Sequence, residues 1–282
     1  MRYTPTIRHR RLAAELRRLR ELTGLTQEDV CQKTGKDRST LYRLEHAQQR
    51  PQRATLIQLL HLYGTDAERT ADLLALLRQS GQRGMFQPYR SVLPEVYADF
   101  MSFEHEADSI CTYESLLIPG LLQTENYARA VITGGLPAAS AGQVDHRVTA
   151  RMERQEILTR TSPAQLWAIM DEAAIRRVVG HHQVMRDQLD RLREAAAMPN
   201  VIIQVIPFHA GAHPGMPGSF IVLDFADAPD QGLVYLDSMA GNLFLEDEAE
   251  LRRFVLMFQY LRAMAFSPDQ STARIAEVAR DT

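Results

Sequence analysis

Twenty-one residues near the start of the chain, LTQEDVCQKTGKDRSTLYRLE from Leu25 to Glu45, restrict the possible folds more than any other stretch. Thr26 is a good helix N-cap, and Asp29, three residues on, is a short version of the capping-box acid. Gly35 is the residue type that enters a left-handed turn without strain, so a helix over residues 26–34 ends there. Asp37 caps the next helix, which carries Leu41 and Leu44 on one face. Two short helices joined so tightly must cross closely. The fifth position of the first must therefore be small, and Cys31 stands there. Val30, Leu41 and Leu44 lock the second helix onto the first. Arg38, Ser39, Thr40 and Arg43 are left facing outward. Such a polar, basic helix fits a major groove, where Arg pairs bidentately with guanine. The pattern is that of a helix-turn-helix.

The flanking sequence continues in short helices. Leu12, Leu16 and Leu19 form the stripe of a first helix stopped by Gly24. Pro51 closes the turn after the third helix. Leu56, Leu59, Leu60 and Tyr63 mark a fourth, and Leu73, Leu74, Leu76 and Leu77 a fifth. Charge is segregated in the same way. Of a net charge of −3, residues 1–64 hold 13 Lys and Arg against 6 Asp and Glu, and the remainder holds 19 against 29. A basic unit suited to a polyanion is thus joined to an acidic one. Gly84, Pro88 and Pro94 break the helical period, which places a linker at residues 81–94 between a DNA-binding domain at 1–80 and a second domain at 95–282.

In the second domain the periodicity predicts helices over residues 121–132, 144–160, 172–179, 183–197 and 248–265. Strands are predicted over 165–170, 201–206, 219–225, 233–237 and 242–245, where branched and aromatic residues are bounded by Gly, Pro and Asp. The expected fold class is an all-α, five-helix N-terminal domain followed by an α+β domain with a mostly antiparallel sheet. No apolar run approaches the roughly 20 residues of a membrane span. Residues 1–5 have no apolar segment behind their charges, so a secretory signal is not expected. Cys31 and Cys111 stand far apart and form no CxxC, which predicts neither a disulfide nor a cysteine zinc site and suits a cytoplasmic protein.

The segment LTQEDVCQKTG followed by STLYRLE resembles the Xre-type regulators, whose DNA-binding domain is the five-helix kind of phage repressors. The resemblance implies that Thr26 and Gln27 grip phosphate from the start of the second helix. It implies that Arg38, Ser39 and Arg43 face base edges, and that Arg50 and Arg53 touch the DNA backbone. It also implies a structural pair between Arg20 and Glu45. Relatives often carry Gln at the position of Arg38, so base preference here should shift towards guanine; many have Gly where Ala47 stands. Residues 112–125 (TYESLLIPGLLQTE), 151–155 (RMERQ), 166–174 (LWAIMDEAA) and 207–214 (PFHAGAHP) resemble the C-terminal domain that follows such helix-turn-helices in many actinobacterial regulators, some described as antitoxin-like.

The sequence carries no HExxH, nucleophile elbow, Walker loop or GxGxxG, and neither an enzyme nor a cofactor is expected. His209 and His213 are four apart, but Gly211, Pro214, Gly215, Pro217 and Gly218 make that stretch a loop and not a metal-binding helix face. The loop over 208–218 reads either as an ordinary connection or as a lid. Tyr113, Glu114, Trp167 and His213 are candidates to line a ligand or partner site beneath it, and read equally as core and cap residues. The expected function is that of a sequence-specific DNA-binding transcriptional regulator. Its C-terminal domain would mediate homodimerisation and respond to a small-molecule effector or a small partner protein encoded nearby. The alternative is an antitoxin-like protein that sequesters that partner and represses its own operon. Double-stranded DNA is the expected main partner, and no membrane is.

Overall fold

The computed structural model describes residues 7–79, 93–226, 232–238, 241–245 and 247–282. The expected linker therefore lies, apart from Leu93 and Pro94, outside the described residues. The chain divides into two compact units, Met1–Gln87 and Pro88–Thr282.

The first unit is five helices: α1 (Ile7–Leu22), α2 (Gln27–Thr34), α3 (Arg38–Glu45), α4 (Arg53–Leu62) and α5 (Ala67–Gln79). Local chemistry sets the ends of α2. The Thr26 hydroxyl accepts from the Asp29 amide, and the Asp29 carboxylate accepts from the Thr26 amide, a complete capping box. At the other end Gly35 sits at φ +70°, a left-handed C-cap whose N–H donates to the Cys31 carbonyl. Leu12, Leu16, Leu19, Val30, Leu41, Leu44, Leu56, Leu59, Leu60, Leu73 and Leu77 make one core, closed by Tyr63. Each such aliphatic side chain contributes about 1.5–3 kcal/mol on burial, enough to hold helices this short together. Cys31 packs against the same core as a free thiol.

The second unit is built on a six-stranded sheet with strand order β3-β2-β1-β4-β5-β6. The strands are β1 (Ser109–Glu114), β2 (Gln165–Asp171), β3 (Val201–Ile206), β4 (Phe220–Asp224), β5 (Leu233–Ser238) and β6 (Gly241–Leu245). Three pairings are antiparallel, β1 with β4, β4 with β5 and β5 with β6. Two are parallel, β1 with β2 and β2 with β3. Parallel neighbours need long crossovers. Helices α7 (Glu125–Gly135) and α8 (Ala141–Arg154) fill the first, and α9 (Glu172–Arg176) and α10 (His182–Ala196) the second.

Side-chain alternation divides the sheet into two faces. On one, Tyr113, Ile169, Phe220, Val222 and Val234 pack under Phe258 and Leu261 of α11 (Glu248–Met264). On the other, Phe100 and Phe103 of α6 (Glu95–Glu106) meet Tyr235 and Phe244, the first pair stacked at 3.9 Å. The open edge at β3 is covered by the turn into α12 (Pro268–Asp281). The Val205 N–H donates to Ser271 Oγ at 3.0 Å, and the Phe266 N–H to the Val205 carbonyl at 2.9 Å, so that edge offers no free ladder there.

The predicted elements shift in places, for local reasons. The helix expected over 121–132 opens as a 3-10 turn at Gly120–Leu122, and α7 starts only after Thr124, whose hydroxyl caps Tyr127 N. The helix expected over 144–160 begins earlier, at a Ser140–Gln143 capping box, and tightens to 3-10 geometry at Gln155–Leu158. Three elements, α6, β1 and α12, were not anticipated from sequence.

Candidate nucleic-acid interface

The close α2–α3 crossing rests on a buried carboxylate. Glu45, at the end of α3, is 4% exposed and accepts from Arg20 Nε at 2.7 Å and from Arg20 Nη2 at 3.2 Å. Gln27 Nε2 donates to the same carboxylate at 2.8 Å. Arg20 also donates through Nη1 to the Leu25 carbonyl at 3.0 Å. Three helices are thus tied at one point: α1 by Arg20, α2 by Gln27 and α3 by Glu45. The ion pair implied by resemblance is present. Gln27, which resemblance places at phosphate, turns its amide inward onto Glu45 and leaves its backbone N–H at the helix start.

Successive α-helical residues turn by about 100°, so the buried Leu41, Leu44 and Glu45 define one side of α3 and leave the opposite side outward. Arg38, Ser39, Tyr42 and Arg43 are all exposed on it. Arg38 has no hydrogen-bond or ion-pair partner among the described residues. Arg43 reaches Thr40 Oγ1 with Nη2 at 3.2 Å. Asp37 organises the start of the helix by accepting from the Thr40 N–H at 2.8 Å and from the hydroxyls of Ser39 and Thr40 at 2.6 Å each. These bonds hold the Asp37 carboxyl far below the ordinary carboxylate range, so it stays ionised. Half-buried Thr40 has then committed its proton and already accepts from Arg43, while Ser39 has committed its proton and offers lone pairs outward. That chemistry accepts from the amino groups of cytosine or adenine.

The remaining expected contacts fall into two kinds. Thr26 is exposed, but its hydroxyl is occupied by the capping box and donates to Asp29 Oδ2 at 2.6 Å. Arg53, the first residue of α4, is exposed with no partner among the described residues. Arg50 instead points at α5 and donates to the Leu77 carbonyl, where a cation also complements the helix C-terminus. Sequence reasoning passed over Tyr42 and His46. Both are exposed, and their rings stack at 3.9 Å. The helical period that selects Arg38 and Arg43 would have placed Tyr42 between them.

In the second unit the four candidates separate. Tyr113 and His213 come together, with ring centroids 5.9 Å apart and edge to face, and His213 Nε2 lies 3.4 Å from Asp171 Oδ2. Gly215 of the 208–218 loop lies on the Tyr113 ring so closely that a Cβ there would fall 2.5 Å from it, so the loop is packed down at this point. Glu114 projects to the other face of the sheet, where burial pushes its carboxyl up to about 7. Trp167 stays in the α11 layer. It donates from Nε1 to Gln204 Oε1 at 2.8 Å and lies under the Arg262 guanidinium. A groove of about 580 Å3 is lined by Glu172, Pro207, His209, Phe266 and Arg274 among others, and by none of the four. Among the described residues no group of three or more His, Cys, Asp or Glu is placed to hold a metal ion. None of the described helices is long and apolar enough to cross a membrane.

The motifs around Gly120 and Arg154 form an internal polar frame. Arg154 is buried and pairs with Glu104 through Nε at 2.7 Å and Nη2 at 2.8 Å, and it also bonds the Tyr97 hydroxyl. Gln155 donates to the carbonyls of Gly120 and Gln123, Gln123 donates to the Ile118 carbonyl, and Arg151 Nη1 donates to Gln123 Oε1. A Cβ at Gly120 would touch Arg154 Nη1 at 3.4 Å. These residues hold the segment between β1 and α7 against α8.

A helix-turn-helix whose recognition side is exposed, polar and basic, in a chain that also carries an α+β unit, defines a helix-turn-helix DNA-binding regulator. Comparison with known families agrees: residues 11–73 match a helix-turn-helix domain. Residues 97–277, well over half of the chain, match the family described as Domain of unknown function (DUF5753), and the protein belongs to that family. No curated protein and no solved structure matches the chain.

Proposed function

We propose that the protein is a sequence-specific transcriptional regulator that binds duplex DNA as a homodimer. In this reading each α3 enters a major groove and the two half-sites lie about 34 Å apart. The observation that carries it is the outward side of α3, where Arg38 stands without a partner among the described residues on a helix braced by the Arg20–Glu45–Gln27 clamp. Arg38 reads guanine, Ser39 accepts from a base amino group, and Arg43, oriented by Thr40, reaches a neighbouring edge or phosphate. Arg53 and the N–H groups at the start of α2, beside Thr26 and Gln27, hold phosphate. Arg50 supports this surface through α5 and adds a backbone contact only if it leaves the Leu77 carbonyl.

Residues 1–80 would act as the DNA-binding part and residues 95–282 as the dimerising and regulatory part of a cytoplasmic protein. Support for contact between copies comes from half-exposed apolar side chains on α11 and β6: Leu256 is 51% exposed, Tyr260 58% and Leu243 52%. Leu256 and Tyr260 are four apart on α11 and so share a side of that helix, the side on which a second copy would pack. Tyr113 and Asp171 lie at the ends of the parallel strands β1 and β2, where α/β sheets commonly bind ligands, and with His213 of the 208–218 loop beside them they are the preferred place for an effector.

The test is selection of duplexes from a randomised pool by the full-length chain, followed by mass measurement of the complex. Two copies on an inverted repeat are expected. A monomer that enriches no sequence would overturn the proposal.

A further inference from the structure

Helix α3 exposes a large aromatic ring on the side that carries its cations. Tyr42 is 45% exposed. Taking Arg38 as the origin of a turn of about 100° per residue, Tyr42 falls at about 40°, Ser39 at about 100° and Arg43 at about 140°. The ring thus lies between Arg38 and Ser39 on the outward side. It does not swing freely, because it stacks on His46 with centroids 3.9 Å apart and planes at 20°. His46 is fixed in turn by a 2.8 Å contact between its Nδ1 and the Tyr42 carbonyl. The Tyr42 hydroxyl has no hydrogen-bond partner among the described residues.

A pinned, exposed ring is prepared for contact, since little conformational freedom remains to be lost on binding. The apolar group that base edges present in the major groove is the C5-methyl of thymine. From this placement we infer that Tyr42 packs its ring on a thymine methyl and makes thymine, beside the guanine read by Arg38, a preferred base in each half-site. The inference rests on the reading that α3 enters the major groove.

The experiment uses the full-length chain and the duplex it enriches from a randomised pool, with each thymine replaced singly by deoxyuridine. At one thymine per half-site the wild type should lose about fourfold in affinity, the worth of burying one methyl group. Tyr42→Ala should bind the parent duplex more weakly and be indifferent to uridine at that position, while Tyr42→Phe keeps the wild-type pattern. Tyr42 lies outside the core, so the variants should melt like the wild type. The inference is overturned if no uridine substitution matters to the wild type, or if the penalty persists in Tyr42→Ala. It is equally overturned if Tyr42→Phe loses as much as Tyr42→Ala, which would move the contact to the phenol oxygen. Failure of the wild type to enrich any duplex would remove the groove reading itself, and this inference with it.

Discussion

Removing Arg20 should destabilise the first unit far more than a surface arginine would. In Arg20→Met the Glu45 carboxylate loses two of its three side-chain donors and keeps only Gln27 Nε2 at 2.8 Å. The Leu25 carbonyl loses its donor as well. The carboxylate's side chain is 1% exposed, so water cannot replace what is lost. Stranding one member of a buried pair costs about 3–5 kcal/mol, and the partial exposure of Arg20 argues for the lower end, about 3 kcal/mol. At about 4–8 °C per kcal/mol for a unit of this size, its melting temperature should fall by about 12–24 °C. Calorimetry of the full-length chain measures this as a shift in one of two transitions. The double variant Arg20→Met with Glu45→Met should recover much of the loss, because no unpaired charge then remains buried. A cost below about 1 kcal/mol for Arg20→Met, or a double variant as damaged as the sum of the singles, would refute the clamp.

Other expectations follow the same physics. The two units should respond to pH in opposite senses. Burial lowers His9 from 6.5 to about 4, so between these values the unfolded chain binds more protons and the first unit loses stability as pH falls. Burial raises Glu114 from 4.5 to about 7, so in that window the fold binds more protons and the second unit loses stability as pH rises. Glu114→Gln should therefore stabilise the second unit by up to about 3 kcal/mol at pH 8 and hardly at all at pH 4, read by its melting transition; an equal effect at both would contradict this. Arg154→Ala strands Glu104 and should cost about 3–5 kcal/mol in the second unit by urea denaturation, and a loss under 1 kcal/mol would deny the frame its importance. Arg53→Ala should weaken binding to every duplex and lower the slope of log affinity against log salt by about one, and an unchanged slope would remove it from phosphate.

The first unit was legible because its signals are local. Thr26 and Asp29 close a capping box, Gly35 marks the stop, and Leu41 and Leu44 give the packing side, all within a few residues of one another. Strand β1 was not. Its sequence, SICTYE, holds three strand formers, Ile110, Thr112 and Tyr113, but they are flanked by polar Ser109 and Glu114, and pairing with β2 and β4 on either side completes the strand. Helix α12 carried a readable start in Ser267, Pro268 at the first turn and Gln270, a capping box that went unused. At the interface, residue types and the outward side of α3 could be read from the period. The inward turn of Gln27 to Glu45 and the docking of Arg50 on Leu77 could not, because they join positions 18 and 27 residues apart that only the folded helices bring together.

The most direct test of α3 as the reading element is a pair of binding isotherms, one on the enriched duplex and one on a scrambled duplex of equal length, for the wild type and for Arg38→Ala. The wild type should prefer the enriched site strongly. Arg38→Ala should lose about 1–3 kcal/mol there, accept any base at one position, and keep its affinity for the scrambled duplex. Equal losses on both duplexes, or no loss on either, would contradict the claim that this helix reads sequence.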